Sequence, residues 1–123
     1  MSKRVTADRP ISPAEIAVIQ AMLARAAVDP AYQRLSEGIE SLRVTDRCGC
    51  GCDSVEFKAS DPEHRPTPIA DGSGVTAAGG QVGVIIWGTA RAVSGIEVYE
   101  MGCGGDDIRL PVPESIRPWE SHD

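Results

Sequence analysis

Three of the four cysteines fall within five residues, as Cys48-Gly49-Cys50-Gly51-Cys52, and the fourth is Cys103. In a reducing cytoplasm, the expected location, such spacing reads as metal binding or thiol chemistry rather than as disulfides. Thiolates are ligands that zinc favours, and a zinc site takes four donors. Alternate side chains of an extended strand share a face, so the three sulfurs begin on one side. On a flat strand they stand too far apart to share an ion. Glycine at 49 and 51 lets the backbone curl and draw them together. Cys48, Cys50 and Cys52 are therefore candidate metal ligands, with zinc as the ion and Cys103, His64 or His122 as the fourth donor. The pattern has no C-x-x-C turn and no second pair of cysteines. Two other readings stand beside it. Cysteine packs as a small hydrophobe, so the segment is equally a turn tucked under helices. A thiol enzyme or redox protein is the third reading, and it needs a base such as His64 to acidify one cysteine.

The remaining constellations are weaker. Gly72-Ser73-Gly74-Val75-Thr76-Ala77 matches a dinucleotide-binding pattern, but that motif works only between a strand and a helix. Prolines precede it and Gly79-Gly80 follows it, so it reads as a flexible loop. Neither a phosphate-cradling P-loop nor a nucleophile elbow is present. Asp46 and Asp53 flank the cysteines, Glu97 and Glu100 lie further on, and Asp106-Asp107 follow two glycines. Turn formation and solvation explain such carboxylates unless burial shifts their pKa. No catalytic residue is assigned, and the reading leans away from an enzyme.

The cluster followed by Ser54-Val55-Glu56-Phe57, then Ile85-Ile86-Trp87, Ile96-Glu97-Val98-Tyr99 and Leu110-Pro111, resembles a group of small uncharacterised proteins from high-GC bacteria. The resemblance covers roughly residues 40–117 and carries no known activity. Cys103 is not part of that pattern.

The elements that must position the cluster follow from capping and periodicity. Ser12, Pro13 and Glu15 form a capping box with proline in the first turn, and Ile16, Ile19 and Leu23 then keep helical spacing. Asp29-Pro30 opens a second, shorter helix carrying Tyr32, Leu35 and Ile39, and Gly38 supplies a left-handed stop. Alternation at Leu42–Val44 and Val55–Phe57 predicts one hairpin around the cysteines. Val82–Trp87 and Ala92–Met101 predict another. Residues 1–10 read as a flexible arm and 61–81 as a long loop within a single domain over 11–119. The expected fold is α+β: a helix pair packed on a four-stranded, mainly antiparallel sheet made of two hairpins.

With 123 residues the chain suits one domain that folds without disulfides. The apolar run Val82–Trp87 is far shorter than a membrane span, and no apolar segment follows Lys3-Arg4, so neither membrane nor secretion is expected. Eighteen acidic side chains against twelve basic ones argue against nucleic acid. The first expectation is a small intracellular, non-enzymatic interaction module with a protein partner. An immunity-type inhibitor of a basic partner fits the charge, because complementary fields speed encounter. The alternatives are a zinc-thiolate protein and a thiol redox protein.

Overall fold

The computed structural model describes residues 4–27, 29–58, 61–101 and 108–119. Its centre is one antiparallel sheet of seven strands, in the order β1-β2-β3-β6-β5-β4-β7. The strands are β1 (Arg4–Pro10), β2 (Arg43–Cys48), β3 (Val55–Phe57), β4 (Thr67–Val75), β5 (Gln81–Gly88), β6 (Val93–Glu100) and β7 (Arg117–Pro118). The helix α1 (Pro13–Arg25) covers one face, burying Val18, Ile19, Met22 and Leu23 among Val44, Phe57, Val84, Ile86 and Ile96. Both expected hairpins exist, β2 with β3 and β5 with β6, and they meet where β3 pairs with β6.

The expected helix pair on four strands is overturned. The capping box forms as the residues demand: Ser12 Oγ accepts from the Glu15 amide at 3.1 Å, and the Ser12 amide donates to Glu15 Oε1 at 2.9 Å. The second helix does not develop. Residues 30–36 and 39–41 wind as separate 3-10 turns, with Asp29 capping the first and Gly38 at φ +79° between them. The 7 residues from Pro30 to Ser36 are too few to recover the cost of nucleating an α-helix.

The arm assigned to residues 1–10 contains an edge strand. Residues 4–10 pair with β2, and Val5 and Ala7 alternate with more exposed neighbours. Charges on such a strand are what keeps an edge from recruiting other chains. Its Arg9 makes two hydrogen bonds to the buried Glu15 carboxylate, 3.0 and 2.7 Å long, which ties β1 to the first turn of α1. The loop assigned to 61–81 contains β4, the longest strand. Its glycines serve close packing. A methyl group on Gly72 would fall 2.5 Å from the Arg117 carbonyl oxygen, and one on Gly74 would fall 2.6 Å from Pro111 Cβ. The first four residues of the dinucleotide-like segment therefore lie in a paired strand, and Thr76 bridges to Pro111, rather than opening a helix.

Among the described residues, the second face of the sheet carries no helix. Glu56, Ile85, Trp87, Glu97 and Tyr99 stand there half-buried, and Trp87 Nε1 donates to Glu97 Oε1 at 2.9 Å.

Candidate metal centre

The three cysteines sit where β2 turns into β3. The Cys48 amide donates to the Ser54 carbonyl at 3.1 Å, which closes the mouth of the loop. Gly51 takes φ +93°, a conformation that costs a side-chain-bearing residue roughly 1–2 kcal/mol. Gly49 has no positive φ, so only one of the two glycines supplies the curl.

The sulfurs converge as the spacing suggested. All three Sγ atoms lie within 4.8 Å of one another, and Cys48 and Cys50 share a hydrogen bond 2.8 Å long. Backbone amides also point at sulfur: Cys50 N–H at Cys48 Sγ, 3.5 Å, and Cys52 N–H at Cys50 Sγ, 3.4 Å. Such donors stabilise negative charge on the acceptor, so they favour bound thiolates. Around zinc, Zn–S bonds of about 2.3 Å set tetrahedral S···S edges near 3.8 Å. The Cys48–Cys50 separation is shorter than that edge and every pair lies within 4.8 Å, so side-chain rotation is what would seat an ion on the three sulfurs.

The loop is pinned from two sides. Cys52 Sγ donates to Ser54 Oγ at 3.4 Å, and Ser54 in turn bonds the Val98 amide and carbonyl at 2.9 and 3.2 Å. From the other side, residues 108–110 cross as a strap. The Asp53 amide donates to the Ile108 carbonyl at 3.0 Å, and the Leu110 amide to Asp53 Oδ2 at 2.7 Å. Arg109 adds a bond to the Gly51 carbonyl at 3.2 Å. Asp53 is thus a loop anchor, a role its reading as a plain turn residue missed. The signal was its position next to Cys52, but its partners lie more than fifty residues away.

Cys50 carries a shifted thiol. The hydrogen bond with Cys48 pushes its thiol up from 9.0 to about 11. That direction is opposite to the one thiol catalysis exploits. The packing reading also fails for this residue, since Cys50 is exposed while Cys48 and Cys52 are only partly covered.

His64 does not join the cluster. Its Nδ1 lies 2.9 Å from Asp61 Oδ1, and Asp61 Oδ2 accepts from Thr89 Oγ1 at 2.7 Å. His64, then Thr89, hold the Asp61 carboxyl below its ordinary value. Thr89 lies beyond β5 next to the start of β6, whereas Ser54, to which Cys48 and Cys52 bond, is tied to Val98 near the end of β6. Cys103 and His122, together with Asp106 and Asp107, lie outside the described residues. The donor set among the described residues is three cysteine sulfurs.

Beside the cluster runs an open groove of about 730 Å³ on the sheet face opposite α1, lined by Trp87, Glu97, Tyr99 and the cysteines among others. No helix of the described residues is long and apolar enough to cross a membrane. Comparison with protein-family models, curated proteins and solved structures gave no match.

Proposed function

We propose that the chain is a metal-thiolate protein that holds one soft divalent ion, zinc being the reference, on Cys48, Cys50 and Cys52. The observation that carries this reading is the convergence of three sulfurs within 4.8 Å on a loop fixed by Ser54 and Asp53. Two amides directed at sulfur support it, because a neutral packed cysteine has no need of them. Among the described residues the donors are three, and two candidates for the fourth, Cys103 and His122, lie outside them. The test is elemental analysis after loading reduced protein with zinc and desalting it. One zinc per chain is expected, and Cys50→Ser should lower retention by an order of magnitude or more. Folded, reduced wild type that keeps no zinc contradicts the reading.

A second reading, a non-enzymatic module that docks a basic protein, draws on the groove. Four carboxylates (Asp46, Glu56, Glu97 and Glu100) outnumber two arginines (Arg4 and Arg47) along it. Half-buried Trp87 and Tyr99 offer the aromatic surface that interfaces favour and that attracts cations. Titration with an arginine-rich peptide should shift NMR signals of the Trp87 indole, Glu97 and Tyr99 together. Shifts scattered over the surface, or none, would remove this reading.

A further inference from the structure

We propose that Cys48 and Cys50 are a redox pair, joined in an intramolecular disulfide by a peroxide or a low-molecular-weight disulfide while Cys52 stays a thiol. The inference uses two sulfurs of the proposed metal centre but does not require the ion. Their Sγ atoms lie 2.8 Å apart, already close to bonding separation, so closure needs side-chain rotation and no movement of the sheet. Cys50 is exposed, which lets an oxidant reach the pair. Cys52 is held differently. Its thiol donates to Ser54 Oγ, and Ser54 is locked to both backbone groups of Val98.

With hydrogen peroxide, one sulfur of the pair attacks an oxygen as thiolate, releases hydroxide and becomes a sulfenic acid. The second thiol then displaces that hydroxyl as water, forming the S–S bond. In sum, two thiols and one peroxide give one disulfide and two waters. With oxidised glutathione, one thiolate displaces a glutathione thiolate to give a mixed disulfide. The partner sulfur then expels the second glutathione, so two thiols are oxidised and one disulfide is reduced. Closure removes two of three thiolates from any bound ion, and exposed disulfides of this kind are the reducible class. Oxidation therefore empties the proposed metal centre, and reduction restores it.

The test uses full-length, chelator-treated, reduced protein carrying Cys103→Ser, exposed to hydrogen peroxide and separately to oxidised glutathione. Expected is a mass loss of two hydrogens, with differential alkylation placing the bond between Cys48 and Cys50 and leaving Cys52 labelled. Cys52→Ser should still close, whereas Cys48→Ser should not, and circular dichroism checks that each variant is folded. Closure through Cys52, links between chains, or persistent glutathione adducts without closure would overturn the proposal. Zinc titration of the reduced protein separates the two claims. Closure without zinc binding removes the metal reading alone, and zinc binding without closure removes the redox pair alone.

Discussion

Cys50 sets the pH behaviour of the proposed centre. Its thiol holds its proton up to about 11 through the bond with Cys48, so a metal must displace that proton at neutral pH. Apparent zinc affinity should rise by about tenfold per pH unit for each proton released. Competition titrations at pH 6.5, 7.5 and 8.5 check this (values chosen to span neutrality, roughly one unit apart), and a flat profile would argue against thiolate ligation. Glu15 makes a separate and purely structural prediction. Burial by itself raises its pKa, but the bonds from Arg9 and Ser12 outweigh that and leave it below its ordinary value near 4.5. A depressed folded-state pKa contributes stability that is present above 4.5 and lost as pH falls through the folded value. Glu15→Gln should cost about 1–3 kcal/mol at neutral pH, from the charge-assisted bonds it removes, and should flatten the acid limb of the stability curve. Denaturant unfolding at neutral and acid pH measures both effects.

At the scale of elements, the glycines of β4 are the sharpest probes. Gly72→Ala puts a methyl group against the Arg117 carbonyl, which is backbone and has little room to yield. The expected outcome is release of β7, seen as faster amide exchange at residues 116, 117 and 119 and loss of the Trp119 to Asp71 bond of 2.6 Å. An unchanged exchange pattern would mean that the tail is not held by that contact. Gly51→Ala acts on the cysteine loop instead. No atom obstructs the methyl group, so its cost is that of the left-handed backbone, about 1–2 kcal/mol, and zinc retention should fall with it. These two positions also explain what was legible beforehand. The capping box at Ser12 and Glu15 and the stop at Gly38 are local devices, and local patterns announced them. Strands β1, β4 and β7 are not local. β1 reads as polar because it is an edge, and β4 reads as loop because its glycines answer to Arg117 and Pro111, far along the chain. The second helix failed for the opposite reason, since its apolar spacing was right and its length was not.

For the molecule as a whole, α1 closes one face of a seven-stranded sheet, and the other carries the groove and, at its end, the cysteine loop. The three cysteines stood out from spacing as a candidate cluster, beside packing and redox readings, and the structure brings their sulfurs together. Their anchors, Ser54 on Val98 and Asp53 on Leu110, did not stand out, because a chain reading cannot see which distant backbone a side chain will meet. Zinc that binds the folded chain alone should stabilise it by about 2.7 kcal/mol at a hundredfold excess over Kd. The thermal midpoint should rise in wild type and stay put in Cys50→Ser. The most direct test of the central claim is titration of reduced, metal-free protein with cobalt(II), read by absorption. The account predicts saturation at one equivalent, with intense thiolate-to-cobalt charge transfer that is reduced in each of Cys48→Ser, Cys50→Ser and Cys52→Ser. A folded wild type showing only the weak spectrum of hydrated cobalt would contradict it.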